Sequence, residues 1–187
     1  MENRSHLLAC ALDLFSQRGY DAVSVQEIVE AAGVTKPTLY HYFGSKRGLL
    51  AALVELYQSP FNAQVAAEPY RGDLPGSLEK LARLFFDFAR QNPRYYRMSL
   101  LARFAPPGSE VYAVLAETNI ALYHRVETLF EAAAQDHGNM RGRQRLFAAT
   151  YIGLLNTCIT LWLNHDLELD DALVYNVVRQ FQYGIYS

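Results

Sequence analysis

Polar, aromatic and basic side chains that could contact a nucleic acid are concentrated on one short segment of this chain. If residues 36–43 form a helix, Leu39 and Phe43 lie four positions apart and face inward. The remaining positions are accessible and offer hydrogen bonds, positive charge and aromatic surface: Lys36, Thr38, Tyr40, His41 and Tyr42. No Asp or Glu occurs between Glu30 and Glu55, which favours approach to the phosphates of DNA.

Local signals around this segment predict how it is positioned. Ser24 is followed three residues later by Glu27, the pattern of a capping box at the start of a helix. Gly33 suits the left-handed backbone that ends such a helix, and Thr35 and Ser45 are placed to cap the next two helices. The sequence therefore predicts a helix, a tight turn and a second short helix. This is the arrangement that presents one helix to the major groove of DNA.

The whole chain is predicted to be helical. Of its 187 residues, 51% are hydrophobic and 19% charged, and neither internal repeats nor strand-like alternation is visible. The predicted helices cover residues 3–18, 25–32, 36–43, 46–66, 76–91, 93–104, 108–136, 141–165 and 170–185. We expect Pro60 to kink the fourth helix or to end it early. The fold class is all-α: an N-terminal three-helix head with a helix–turn–helix, followed by a C-terminal helical bundle.

Charge and cysteine content restrict the classes of protein. The net charge is −2, and residues 1–50 contain five Lys/Arg and five Asp/Glu, so DNA affinity has to come from local placement of cations. Cys10 and Cys158 fall in apolar helical patterns, and small buried side chains are favoured over redox sensing. The N-terminus lacks the apolar stretch and cleavage site of a signal peptide, which predicts a cytoplasmic protein.

One segment has the length of a membrane span. Residues 146–165 contain no charged side chain. A membrane helix is not favoured, because the segment contains many polar residues: Thr150, Asn156, Thr157, Thr160, Asn164 and His165. A helix that is apolar on most sides is more simply buried from two directions, by its own core and by a second copy of the chain.

Two other classes of protein are alternatives to a DNA-binding protein. An enzyme would need a phosphate-binding Gly-rich loop, a metal motif or a nucleophile with its base, and the sequence signals none of these. His165, Asp166 and Glu168 loosely suggest a metal site, but a solvated helix end is favoured, so neither metal nor cofactor is expected. The second alternative is a helical ligand-binding or interaction module whose DNA-binding head has decayed. The intact polar face of residues 36–46 argues against it.

The run AAGVTKPTLYHYFGSKRGLL resembles the DNA-binding signature of the TetR-type (TetR/AcrR) transcriptional regulators. The likeness extends from about Ser5 to Leu53, and Phe15, Gly19 and Tyr20 also fall where that family places its first helix and turn. The resemblance implies a regulator that binds double-stranded operator DNA and responds to a small-molecule effector.

The resemblance also implies a division of the chain and a role for particular residues. Residues 1–48 would form the DNA-binding domain, and residues 49–187 the effector-binding and dimerisation domain. The residues that would contact base edges or the groove wall are Lys36, Pro37, Thr38 and His41, with Thr35 at the start of the reading helix. Tyr40 and Tyr42 would contact phosphates or thymine methyl groups. Ser24 and Lys46 would contact phosphates, and Gln26 would contact a base.

The last two helices are predicted to form a homodimer interface. Small residues recur on the eighth helix and apolar residues on the ninth, giving the candidate interface Ala149, Gly153, Thr157, Thr160, Val174, Val178 and Phe181. Two such helices from each of two copies would make a four-helix interface with two-fold symmetry. The resemblance implies the same arrangement, although stripes of this kind can also be only the core of one chain. A dimer would place two reading helices at the ~34–36 Å spacing of successive major grooves.

The middle of the chain is rich in aromatic residues, and the resemblance implies an effector pocket there. The candidate effector-binding residues are Phe86, Tyr96, Arg97, Asn119, Tyr123, His124, Asn156 and Trp162. For any single aromatic residue, ordinary core packing is the favoured alternative, whereas buried polar groups need partners that a ligand can supply. The function predicted is that of a dimeric regulator, a repressor, on a palindromic operator, released by a largely apolar or aromatic effector. Activation instead of repression stays open.

Overall fold

The computed structural model describes residues 2–184, apart from the side chain of Asn139, and this part of the chain contains helices and no strand. The α-helices are α1 (Glu2–Arg18), α2 (Val25–Ala31), α3 (Lys36–Phe43), α4 (Lys46–Ala66), α5 (Leu74–Gln91), α6 (Pro93–Ala102), α7 (Glu110–Asp136), α8 (Gln144–Leu163) and α9 (Asp171–Tyr183). A short 3₁₀ turn, Gly138–Met140, separates α7 from α8. The prediction of an all-α fold with an N-terminal helix–turn–helix is confirmed.

Most predicted helix boundaries agree with the structure to within two or three residues, and the differences have local causes. α8 begins at Gln144 instead of residue 141, because the 3₁₀ turn and Gly142 at φ +77° interrupt the chain before it. α4 does not end early at Pro60 but continues to Ala66 with Pro60 inside the helix, and the alternative of a kink at Pro60 stays a prediction. Residue 185 of the predicted ninth helix lies outside the described residues.

The described residues form two compact units. The first unit comprises residues 2–60 and 92–119, and the second comprises residues 61–91 and 120–184. The first unit thus contains α6 and the start of α7 in addition to the helix–turn–helix. The domain boundary expected at residue 48 stays a prediction based on the motif.

The core of the first unit holds the short reading helix in place. α1 packs against α2, α3 and α6. Phe15 and Leu39 are both fully buried, and the ring of Phe15 lies 5.2 Å from the ring of Tyr20. An ion pair joins α6 to α1, with Arg94 Nε 3.2 Å from Asp13 Oδ1. An eight-residue helix is marginal in isolation, so α3 depends on this packing for its orientation.

The core of the second unit is formed by α5, α8 and α9. The buried Tyr151 on α8 donates a hydrogen bond of 2.7 Å to the carbonyl of Leu78 on α5. Phe181 on α9 packs on Tyr151, with ring centroids 4.8 Å apart. Val174 and Val178 are each 3% exposed. The sequence predicts these three α9 residues for a dimer interface, but Val174 and Val178 are buried inside their own chain and Phe181 is half-buried, because this face of α9 packs on α5 and α8.

α8 also has the length and composition of a membrane-spanning helix. By these two criteria alone, Gln144–Leu163 is the one such helix in the described part of the chain. Of its most apolar window, 39% is buried inside the protein, in the core of the second unit. The structure therefore agrees with one half of the sequence interpretation, in which one side of this helix faces its own core.

Candidate nucleic-acid interface

The start of α2 is fixed by a reciprocal capping box, as the sequence predicts. The hydroxyl of Ser24 accepts a hydrogen bond from the Glu27 amide, and the Ser24 amide donates one of 2.8 Å to Glu27 Oε2. Arg18 at the end of α1 holds the other oxygen of the same carboxylate, with Nη1 2.6 Å from Oε1. The backbone and hydroxyl of Ser24, followed by Arg18, lower the pKa of Glu27 to about 2.

The turn between α2 and α3 closes in two hydrogen bonds around a left-handed glycine. The amide of Val34 donates to the carbonyl of Val29 at 2.9 Å, and the amide of Gly33 donates to the carbonyl of Glu30 at 3.1 Å. Gly33 has φ +61°, which a residue with a side chain adopts at a cost. This is a Schellman motif, and it sets the angle at which α3 leaves α2.

The reading helix α3 presents most of its predicted contact residues to solvent. Leu39 is fully buried beneath it, and the predicted contact residues Thr35, Lys36, Pro37, Tyr40, His41 and Tyr42 are exposed. Thr38 is half-buried, and its hydroxyl lies 3.0 Å from the hydroxyl of Thr35. Thr35 occupies the N-cap position but forms no side-chain bond to the helix backbone. The face offered to a groove is therefore aromatic, polar and basic.

The turn from α3 to α4 contains a glycine that the sequence interpretation overlooked. Gly44, at φ +71°, ends α3, and the Gly48 amide donates to the Ser45 hydroxyl at 2.9 Å, as the predicted cap requires. A Cβ at Gly48 would run into the carbonyl oxygen of Phe43. A glycine within the first turn of a helix is the only sequence signal for this close approach.

Lys46 begins α4 and lies against an aromatic ring. Its ammonium nitrogen is 4.0 Å from the centroid of the Tyr20 ring. Tyr20 is buried, and its hydroxyl donates a hydrogen bond of 2.6 Å to Glu110 Oε2, at the first residue of α7. Burial lowers the pKa of Lys46 and, together with the bond to Glu110, raises that of Tyr20. The sequence interpretation missed this connection, because its two partners are separated by 90 positions along the chain.

Ser24 and Gln26 are exposed, but both side chains already have partners within α2. The Ser24 hydroxyl donates to Glu27 Oε2 at 2.7 Å, and the Gln26 amide donates to Glu30 Oε1 at 2.5 Å. A base contact by Gln26 would require its amide to leave Glu30. A phosphate contact by the Ser24 hydroxyl would likewise compete with the capping box.

The residues predicted to bind an effector are distributed over both compact units. Tyr96, Arg97 and Asn119 belong to the first unit, and Phe86, Tyr123, His124, Asn156 and Trp162 to the second. Phe86 and Tyr96 are buried, at 1% and 4% exposure. Arg97 and His124 lie amid apolar runs of the sequence, which predicts polar groups inside the core, but both side chains are exposed, so this prediction of burial is wrong.

The small-residue side of α8 is exposed. Ala149, Thr157 and Thr160 are exposed, and Gly153 is half-buried. Both threonine hydroxyls donate to carbonyls of their own helix, from Thr157 to Gly153 at 3.0 Å and from Thr160 to Asn156 at 2.8 Å. Because these hydroxyls already donate within the helix, neither of them has a hydrogen left to donate at the surface. Within residues 2–184, no group of three or more His, Cys, Asp or Glu is arranged to hold a metal ion.

The geometry defines the class of protein first. Two helices joined by a Schellman turn, with a polar and aromatic second helix exposed beside basic residues, form a helix–turn–helix DNA-binding module. Residues 7–53 match the family model of "Bacterial regulatory proteins, tetR family". The resemblance of the sequence to the TetR-type transcriptional regulators is confirmed, and the matched segment contains the helix–turn–helix.

Relatives and solved structures extend the likeness beyond the head. The chain is 29% identical over 184 residues to the transcriptional activator FasR of Mycolicibacterium smegmatis, covering 98% of this chain and 82% of FasR. A tetR-family regulator from Streptomyces coelicolor is similar with a TM-score of 0.67 and 27% identity, over 96% of this chain and 78% of that one. FadR of Bacillus subtilis, solved in complex with stearoyl-CoA, shares the fold with a TM-score of 0.77 and 20% identity, over 97% and 98% of the two chains.

Proposed function

We propose that this regulator binds a palindromic operator as a homodimer and responds to a small, largely apolar or aromatic effector. The observation that carries the proposal is the exposed face of α3. Lys36 on that face and Arg47 just beyond it have no carboxylate within ion-pair distance in the described part of the chain. Cations that are not neutralised by their own protein remain available to phosphates.

The proposed contacts are of two kinds: some read the bases, and others position the protein on the DNA backbone. Lys36, Thr38 and His41 would face base edges, and Tyr40 and Tyr42 would contact phosphates or thymine methyl groups. Pro37 and Thr35 would line the groove at the start of α3, and Lys46 would hold a phosphate at the start of α4. Ser24 and Gln26 rank below these residues, because each must first give up a hydrogen bond.

The exposed side of α8 supports the dimer. Residues 146–165 carry no formal charge, and Ala149, Thr157 and Thr160 are exposed. A two-fold axis beside this helix would bring it against its own copy. With Val174 and Val178 buried in their own chain, the proposed interface consists of Ala149, Gly153, Thr157, Thr160 and the half-buried Phe181.

We propose that effector binding changes the affinity for operator DNA, because the effector site and the DNA-binding site are coupled. Stearoyl-CoA, the ligand of the solved Bacillus subtilis FadR, combines a long apolar chain with a polar head, and acyl-CoA compounds are therefore the first class to test. Coupling free energies of this kind are typically ~1–3 kcal/mol and reciprocal, so operator DNA should weaken effector binding by the same factor. α4 carries Lys46 at its first residue and Phe61 beyond Pro60, which makes it the proposed lever.

Repression is the proposed outcome of operator binding, since a bound dimer blocks the DNA that it covers. Activation is the second candidate, favoured by one observation: the relative FasR, whose alignment covers 98% of this chain, is named an activator. A reporter gene placed behind the selected operator separates the two. We further propose that the protein acts in the cytoplasm, without an enzymatic activity or a membrane partner, as its regulator relatives imply.

The experiment that tests the proposal is selection from random double-stranded DNA by the purified protein at moderate salt. The expected product is a two-fold palindrome whose affinity falls with salt by about 0.9 logarithmic units per phosphate neutralised. Recovery of DNA without sequence preference would contradict the proposal. The decayed-head alternative predicts this last result, so the same experiment separates it from an active regulator.

A further inference from the structure

Arg4 lies beside the end of the reading helix although it belongs to α1. Its guanidinium carbon is 5.4 Å from the centroid of the Phe43 ring, and Phe43 is the last residue of α3. The Phe43 ring is in turn 6.2 Å from the ring of Tyr42. Arg4 is exposed. α1 thus brings a cation from the start of the chain to the C-terminal end of the helix that is proposed to enter the groove.

The charge of Arg4 is not neutralised by the protein. Among the described residues, no carboxylate lies within 4.0 Å of this guanidinium, whereas Arg18 pairs with Glu27 and Arg94 pairs with Asp13. Glu2 is two positions away on α1, and side chains with that spacing do not face each other on a helix. Arg18 and Arg94 are thus neutralised by carboxylates of neighbouring helices, and Arg4 is not.

An aromatic ring can position a cation without neutralising it. The negative face of the ring attracts the guanidinium, but the full positive charge and the N–H donors remain available to another anion. Lys46 has the same arrangement, with its ammonium nitrogen 4.0 Å from the centre of the Tyr20 ring. Only two residues of the α3–α4 turn separate Phe43, which holds Arg4, from Lys46.

We propose that Arg4 binds a phosphate of the DNA backbone at the end of α3, with the Phe43 ring holding its guanidinium in position. This inference rests on the proposed function, in which α3 enters the major groove. The planar guanidinium matches two phosphate oxygens in a bidentate arrangement. The contact adds affinity for all sequences equally, because the phosphate carries no base identity.

The test compares the salt dependence of operator binding for the intact chain, Arg4→Gln and the control Arg125→Gln, using the operator recovered by selection. Arg125 is an exposed arginine of the second unit, so its removal makes the same change in net charge. We expect Arg4→Gln to reduce the slope of log K against log salt by about 0.9 for each subunit, or about 1.8 for a dimer. We expect Arg125→Gln to leave the slope unchanged.

Two further variants test the chemistry. Arg4→Lys should keep the slope, because it keeps the charge, and bind more weakly, because it loses the bidentate geometry. Phe43→Leu keeps an apolar side chain but removes the ring, and its effect on affinity should be smaller in the Arg4→Gln background than in the intact chain. Circular dichroism and thermal unfolding confirm that each variant is folded before its affinity is interpreted.

Three results would overturn the proposal. An unchanged slope in folded Arg4→Gln would show that no phosphate is lost. A loss of preference for A·T-rich flanking sequence at constant slope would place Arg4 in the minor groove instead. If the intact chain shows no sequence preference at all, the proposed function fails as well, which distinguishes that outcome from a failure of Arg4 alone.

Discussion

Helices α3 and α8 both present an exposed face, but the chemistry of the two faces is opposite. On α3, the threonine hydroxyls of Thr35 and Thr38 lie together near the exposed surface, beside basic and aromatic side chains. On α8, the hydroxyls of Thr157 and Thr160 donate to carbonyls of their own helix, on a segment without charged side chains. The same residue type thus contributes to the polar face that is proposed to bind DNA and to the uncharged face that is proposed to contact a second copy. Hydrogen-bond partners, not residue identity, decide which face results.

Gly48, in the first turn of α4 directly after α3, and Gly153 on α8 differ in the space around them, and this difference gives the largest expected effect. In Gly48→Ala the new methyl group collides with the Phe43 carbonyl and separates the end of α3 from the start of α4. We expect the free energy of unfolding to fall by ~1–3 kcal/mol, and operator affinity to be lost with it. Urea unfolding and operator titration measure the two effects.

Gly153→Ala is the matched control on α8. A Cβ at this position meets nothing within 4 Å, so alanine should stabilise the helix by ~0.5–1 kcal/mol. Equal effects of the two substitutions on urea unfolding would contradict the proposed difference between the two glycines.

A larger side chain at the same site tests the dimer. Because the space around Gly153 is open in one chain, Gly153→Leu should leave the folded subunit intact and collide only with a partner. An overpacking penalty of ~1–3 kcal/mol corresponds to a five- to 150-fold weaker dimer. Sedimentation equilibrium measures this constant, and an unchanged dimer would remove α8 from the interface.

Replacing a threonine hydroxyl by a methyl group on α3 and on α8 compares the two helices through smaller expected effects. Thr38→Val should weaken operator binding by ~0.5–1.5 kcal/mol, the net value of one hydrogen bond, and alter the base preference. Thr157→Val should change neither DNA binding nor dimer mass, because that hydroxyl already points back to Gly153. Operator titration and sedimentation provide the two measurements. Equal losses in both variants would show that the orientation of the hydroxyl has no consequence.

The smallest effect concerns pH and the start of α2. Glu27 has a pKa of about 2 in the folded chain, against an ordinary value of 4.5, so the unfolded chain binds the proton more tightly. Its contribution to stability is therefore complete above pH 4.5 and is lost as the pH falls towards 2. Glu27→Gln should flatten the loss of stability in this range, as measured by urea unfolding at several pH values. The same slope in both proteins would assign the acid sensitivity to other carboxylates.

The sequence predicts the parts of the site that are built from neighbouring residues. Ser24 with Glu27, Gly33 and Ser45 act within a few positions, and each forms the cap or turn that its type indicates. Tyr20 and Glu110 lie 90 positions apart, and the sequence around each of them does not predict the hydrogen bond between them. Long-range contacts of this kind depend on how helices pack.

Helical periodicity identifies an apolar face but not what covers it. Val174 and Val178 have the spacing of an interface stripe, yet they are buried against α5 and α8 of their own chain. Arg97 and His124 lie within apolar runs, yet both reach solvent. A sequence shows which residues share a helix face, whereas burial is decided by the neighbouring helices.

Pro60 gives α4 uneven stiffness along its length. Proline has no amide hydrogen, so the carbonyl of Leu56 lacks the donor that every ordinary helical residue supplies four positions later. One backbone hydrogen bond of α4 is therefore missing at Pro60, which is also the residue at which the first segment of the first compact unit ends. Bending α4 at this turn breaks one hydrogen bond fewer than bending it elsewhere, so we expect the helix that carries Lys46 to bend most easily near Pro60.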